Sequence, residues 1–176
     1  MSLFNKTLLA ATIFSTFAFT TQAADGGSGT VTFTGSIIDS PCSIKPESGD
    51  QTVDLGQISS ATLANKGTST PRNFSIELEK CDITTMKNVA ITFTGSSDNV
   101  DTALLGITGT AKGAGVVITD GSGSTIKLGQ ASAARVLGTG NNTLIYSAYL
   151  QGNSATVGSI VPGEFTSVAN FTLAYN

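Results

Sequence analysis

Cys42 and Cys81 are the residues of this 176-residue chain whose type and spacing point most directly to chemistry. Two readings compete for them. A tetrahedral zinc site needs four ligands, and two cysteines in a chain without histidine do not complete one. A disulfide needs an oxidising compartment, and the N-terminal segment supplies the route to one. Lys6 precedes an apolar run from Leu8 to Phe19, broken by Thr12, Ser15 and Thr16, and Thr21-Gln22-Ala23 then sets small residues where a signal peptidase reads. The run is too short to cross a bilayer, so residues 1–23 read as a secretory signal peptide cut after Ala23. A Cys42–Cys81 disulfide is therefore the expected reading. It closes a loop of about 39 residues, stabilising by roughly 4 kcal/mol in the chain-entropy account.

The other reactive residue types do not assemble into a catalytic set. Without histidine, acid–base chemistry rests on carboxylates. Asp50 and Asp54 are close in sequence, as are Asp98 and Asp101, but each pair sits among Gly, Ser and Asn and reads as solvated turn residues. No spaced Ser–Lys motif stands out, and no glycine loop leads from a strand into a helix to cradle phosphate. The expectation is a chain with no catalytic residue, no metal and no cofactor. Sequon matches at Asn73, Asn141 and Asn170 read as chance in a Thr- and Asn-rich β chain. A net charge of −3 and a pI of 4.7 argue against nucleic acid and anionic lipid as partners. No later stretch is long and apolar enough for membrane insertion. Charged residues are 12% against roughly 25% in ordinary globular proteins, so Thr, Ser, Asn and Gly must build the surface.

Strands must position whatever this chain binds with. Phe74, Ile76 and Leu78 alternate with Ser75, Glu77 and Glu79 before Cys81, and Val89, Ile91 and Phe93 alternate with Ala90, Thr92 and Thr94. Val53 and Leu55 do the same within "QTVDLGQI". The stretches "GVVITD", "STIKLG" and "TLIYSAYLQG" are each bounded by turn residues. Short strands at close spacing predict an antiparallel sandwich or barrel. "DGSGS" at 120–124 predicts a hairpin turn. "SSATLANKG" at 59–67 predicts one or two helical turns, capped by Ser59 or Ser60 and stopped by Gly67.

Both ends of the chain alternate as well. Gly29, Val31, Phe33, Gly35 and Ile37 share one face of a strand behind the flexible lead "ADGGSG". Ala169, Phe171, Leu173 and Tyr175 share one face of the last strand, which ends at Asn176. Both segments fit two accounts: ordinary strands of one closed sandwich, or a first segment that detaches to complete another molecule.

Taken together, the signal peptide, "GTVTFTGSIIDSPCSI", "QTVDLGQI", "FSIELEKCDIT" and "FTSVANFTLAYN" resemble the chaperone–usher major pilins (fimbrial major subunits) of Gram-negative bacteria, most like the P-pilus and mannose-resistant fimbria types. The cysteine spacing, the aromatic Tyr175 second from the end and the glycine Gly163 fourteenth from the end carry the resemblance in register. It covers the whole chain after the signal peptide and is weakest from about 96 to 140, where surface loops are expected. The resemblance implies an all-β, immunoglobulin-like antiparallel sandwich over residues 36–176 that lacks its final strand and is completed by donor-strand exchange. It implies a donor-strand extension over residues 24–35, with Gly29, Val31, Phe33 and Gly35 facing a neighbour's groove and Gly29 at its shallow point. Gly27 stands where many relatives place an apolar residue, which implies slower exchange. The strand Ala169 to Asn176, with Phe171, Leu173 and Tyr175, is implied to meet a periplasmic chaperone. Other copies of the chain in a fibre, an outer-membrane usher, and minor and tip pilins are the further implied partners. The implied location is a fimbrium at the cell surface, supporting adhesion.

Two rival readings remain at this stage. One is a minor adaptor pilin of the same fold. The other is a secreted carbohydrate-binding β-sandwich, for which the absence of Trp removes the best sugar-stacking side chain.

Overall fold

The structure, a computed structural model, describes residues 27–176 except 155 and 157. The expected signal peptide, residues 1–23, and the first residues of the expected extension lie outside the described residues. The chain divides after Ile37 into two units. In the first, residues 27–37 are exposed and form no strand, with Val31 74% and Phe33 90% exposed. The strand expected from their alternation is absent because a strand needs a ladder partner as well as an apolar face.

The second unit is an antiparallel sandwich. One layer has five strands in the order β1 (Ser43–Ile44), β2 (Arg72–Cys81), β8 (Gly140–Gly152), β6 (Ala114–Asp120) and β4 (Leu105–Gly106). The other has three, β10 (Asn170–Tyr175), β3 (Asn88–Thr94) and β7 (Arg135–Val136). A small pair, β5 (Thr108–Gly109) with β9 (Phe165–Thr166), joins two loops. Every described pairing is antiparallel.

The alternating residues build the core between the layers. Ile76 and Leu78 of β2 meet Val89, Ile91 and Phe93 of β3, joined by Val116, Ile118, Leu144, Tyr146 and Leu150. Phe74, Phe93 and Tyr146 form an aromatic cluster with ring centroids 5.5 to 6.3 Å apart. Such pairs add about 0.5–1.5 kcal/mol each beyond their buried area. The Cys42–Cys81 disulfide is present, with both residues 3% exposed, and it ties the start of β1 to the end of β2.

The local turn signals act as their chemistry requires. The Asp120 carboxylate accepts hydrogen bonds from the amides of Ser122 and Ser124 and from the Ser122 hydroxyl, closing the 120–124 turn. Ser59 caps the short helix α2 (Ser60–Leu63) by accepting from the Ala61 amide; a 3-10 turn, Ala64–Lys66, follows. One further helical turn, α1 (Pro46–Gly49), places Ser48 so that its hydroxyl accepts from the Glu77 amide.

Three expectations are corrected. "QTVDLGQI" forms no strand, because among the described residues no strand lies beside it to make a ladder. "STIKLG" forms one bridge, Thr119 with Thr125, and otherwise turns away, although Ile126 is buried. The region 96–140 is not simply surface loop: residues Ala114 to Thr119 of β6 are all buried, since Leu104 lies over Gly115 on one side and the core over Val116 and Ile118 on the other.

Candidate functional site: an open groove in the sandwich

The described core is not closed. A groove of about 1100 Å³ runs into it, floored by Phe74, Ile76, Phe93, Leu105, Val116, Ile118, Ala148 and Leu150 from both layers. Residues 48–58 form one wall and residues 160–171 the other. The floor is apolar because the alternation of β2, β3, β6 and β8 aims these side chains inward, whether or not a strand covers them.

Each wall offers open backbone. Asn88 and Asn176 exchange both of their backbone hydrogen bonds, at 2.9 and 3.1 Å. Antiparallel pairs alternate between bonded and non-bonded, so with the register Tyr175 to Val89, Leu173 to Ile91 and Phe171 to Phe93 the backbone groups of Phe171, Leu173 and Tyr175 point away from β3. They point to the free edge of β10, which has no strand beyond it among the described residues. The side chains of these three residues are half-buried against the core, as is Ala169. On the opposite wall, residues 51–58 take part in no backbone–backbone hydrogen bond among the described residues. Asp54 accepts from the Gly56 amide and the Gln51 amide group donates to the Ser75 carbonyl, which hold this wall in place.

One end of the groove is closed by close backbone contact. Lys112 and Val161 exchange two backbone bonds, at 3.1 and 2.9 Å, and the Glu164 carbonyl accepts from the amides of Thr110 and Ala111. Gly163 sits inside this crossing, where a Cβ would come within 2.7 Å of the Ala111 nitrogen and collide with the Thr110 hydroxyl. Gly163 therefore has a steric reason for being glycine. The sequence singled out Gly163 but not Thr110 and Ala111, which carry no motif and are near it only in space. Of the 48–58 wall the sequence shows only the alternation of Val53 and Leu55 within "QTVDLGQI", which reads as a strand.

Burial shifts two tyrosines of the sandwich. The Tyr146 hydroxyl is pushed up to about 12 by burial. Burial also raises Tyr175, opposed by a hydrogen bond with the Ser40 side chain. Among the described residues no three His, Cys, Asp or Glu side chains come together to hold a metal ion. Asp98 and Asp101 are half-buried and bonded rather than free in solvent. The Asp98 carboxylate accepts from the amides of Val100 and Asp101 and from the side chain of the buried Asn153, and Asp101 pairs with Lys66 at 3.0 Å.

A disulfide-stapled, immunoglobulin-like sandwich with its core open along a groove defines a class of structural β proteins, and the comparisons with known proteins place the chain within it. The chain belongs to the fimbrial protein family, whose model matches residues 31–176. It is 54% identical over 171 residues to the Fimbria A protein of Serratia marcescens, covering 97% of this chain and 98% of that one. It is 53% identical to the Major MR/P fimbria protein of Proteus mirabilis (strain HI4320), covering 92% and 91%. Among solved structures it is similar to the P pilus rod subunit PapA, with a TM-score of 0.69, 34% identity and coverage of 78% and 100%. It also matches a chaperone–usher pilus solved to explain rod uncoiling, with a TM-score of 0.76, 34% identity and coverage of 88% and 99%. The chain is thus a major subunit of the chaperone–usher pilin type, a structural protein of surface fimbriae and not an enzyme.

Proposed function

We propose that the groove receives the N-terminal extension of a second copy of this chain, residues 24–35, and that repetition of this joint builds the fibre. One observation carries the reading: an apolar floor lies between two walls whose backbone groups are open, and the same chain carries an exposed alternating segment with no partner. Val31 and Phe33 would each contribute about 1.5–3 kcal/mol on burial, beside a backbone ladder on both walls. Gly29 would sit where the groove is too shallow for a side chain. Addition of a strand to an open sheet edge is a known mode of peptide recognition, and a head-to-tail joint gives an open filament.

On this reading a periplasmic chaperone covers the same groove before assembly, against Ala169, Phe171, Leu173, Tyr175 and Asn176. The usher then exchanges it for the incoming extension, and tip and minor pilins join by the same joint. The fibre supports adhesion by carrying them outward.

The test is a peptide spanning residues 24–37 added to the chain lacking residues 24–35. The reading predicts a saturable rise in melting temperature, absent for the same peptide with Asp in place of Val31 and Phe33. Equal effects of the two peptides overturn it.

A further inference from the structure

We propose that the Cys42–Cys81 disulfide is a mechanical bypass that keeps one wall of the groove out of the path of fibre tension. The inference rests on the donor-strand reading above and adds to it a role for the disulfide in the assembled fibre.

In such a fibre each subunit is pulled at two places. The extension, locked in a neighbour, pulls on Cys42 through residues 36–41. The strand of the next neighbour pulls on the walls of the groove. At Cys42 the covalent chain branches: the backbone continues into β1, and the disulfide jumps to Cys81 at the end of β2. From Cys81 the backbone soon enters β3, which holds β10 through the six register pairs of Asn170–Tyr175 with Val89–Thr94. The start of β10, Asn170 and Phe171, belongs to the 160–171 wall of the groove. The disulfide therefore carries load from the extension to the groove without passing it through Ser43–Lys80.

The first part of the bypassed segment, Ser43 to Ile58, is weakly held. β1 is two residues long and lies at the edge of its sheet, paired only through Ser43 with Glu79 and Ile44 with Leu78. The Lys45 amide adds one bond to the Glu77 carbonyl. A strand loaded from its end gives up such bonds one at a time. Beyond it lies the 51–58 wall, with no backbone–backbone bond among the described residues. The first stretch that resists is residues 67–69, which bridge β8 through Thr68 with Gln151 and exchange backbone bonds with Leu150 and Gly152, followed by β2, laddered to β8 from Arg72 onward. Without the disulfide, tension on Cys42 strips β1 and then the wall itself, and the neighbour's strand loses one of the two edges that hold it. The position of the bond follows the same logic: it sits at the root of the extension, and the loop that it closes contains the whole 48–58 wall.

The experiment is single-fibre pulling on fibres assembled from the full chain, oxidised or held with a small phosphine reductant, with thiol labelling afterwards to count broken bonds. Fibres of the Cys42→Ser, Cys81→Ser chain give the same comparison without reductant. The expected result is an added extension of up to about 85 Å for each reduced subunit, the length of roughly 25 residues drawn straight from Cys42 to Gly67. Separation then occurs at lower force than in oxidised fibres, which lack this step. Fibres with labelled thiols that part at the same force and extension as oxidised ones overturn the proposal. Normal fibres from a Phe33→Asp chain would overturn the donor-strand reading beneath it, a different outcome from a different measurement.

Discussion

Phe171 of β10 lies directly opposite Phe93 of β3, with ring centroids 6.4 Å apart, yet Phe93 is 3% exposed and Phe171 only half-buried. The two rings belong to one ladder and differ in what covers them. Phe93 has the five-stranded layer across from it, whereas Phe171 stands at the wall where the core opens. An apolar core exposed along an unpaired strand edge invites pairing with another chain, and the proposed joint makes that property the basis of assembly.

Phe33 tests the donor side of that joint. It is 90% exposed in the single chain, so Phe33→Asp leaves the folding of the sandwich intact. In a neighbour's groove the aspartate is buried without a partner, which costs several kcal/mol. The expected outcome is a normal level of chaperone-bound subunit and no fibres, read by electron microscopy and sedimentation. Normal fibres from this variant contradict the joint.

Tyr175 tests the acceptor side. Its ring packs half-buried against the core and its backbone faces the free edge of β10. Tyr175→Ala removes the ring and is expected to destabilise by about 1–3 kcal/mol, less than a fully buried aromatic would. The periplasmic level of the subunit, measured by quantitative blotting before assembly, falls several-fold. An unchanged level with unchanged fibres contradicts a role for this strand in chaperone capture.

Much of this was legible in the sequence, and what was not has a physical cause. The faces of β2 and β3 were plain because Ile76, Leu78, Val89, Ile91 and Phe93 alternate with polar residues over one buried side. "GVVITD" showed a strand but not its burial on both sides, because an apolar run carries no period. "QTVDLGQI" alternates as a strand does, and its half-buried Leu55 and Ile58 pack against the core, but among the described residues no strand lies beside it to make a ladder. The same holds for Val31 and Phe33. Sequence pattern reports which face is apolar, and pairing depends on who is present. The closed end of the groove at Thr110, Ala111 and Gly163 was invisible for a different reason: close approach between backbones more than fifty positions apart leaves no local pattern.

Gly163→Ala probes that closed end. The added Cβ would meet the Ala111 nitrogen and the Thr110 hydroxyl, so the crossing of 108–112 with 161–166 must spread. The expected cost is about 1–3 kcal/mol, read as a lower melting temperature of the strand-completed chain and a weaker response to added peptide. Gly138→Ala, where a Cβ would meet only the Asn142 side chain at an ordinary 3.7 Å, lies outside the crossing and leaves peptide binding unchanged. Equal peptide binding by Gly163→Ala and the unaltered chain contradicts a role for the crossing in shaping the groove.

Alkaline pH tests the aromatic cluster. Burial raises the Tyr146 hydroxyl from 10.0 to about 12. A pKa raised in the folded state means stability fully present below pH 10 and lost as pH rises toward 12, by up to about 2.7 kcal/mol at 1.36 kcal/mol per unit. Melting curves between pH 9 and 12 are expected to show this loss in the strand-completed chain and to show less of it in Tyr146→Phe. Parallel curves for the two contradict burial as the cause.

The central claim is that the sandwich lacks a strand which its own N-terminal segment supplies to a neighbour. The most direct measurement compares thermal unfolding and oligomeric state of two forms of the chain after the signal peptide. One lacks residues 24–35. The other carries, in addition, a copy of residues 26–37 joined by a short flexible linker after Asn176. The account predicts that the first aggregates or unfolds at low temperature and that the second is a stable monomer. Two equally stable monomers would show that the sandwich was complete without the strand, and would contradict the account.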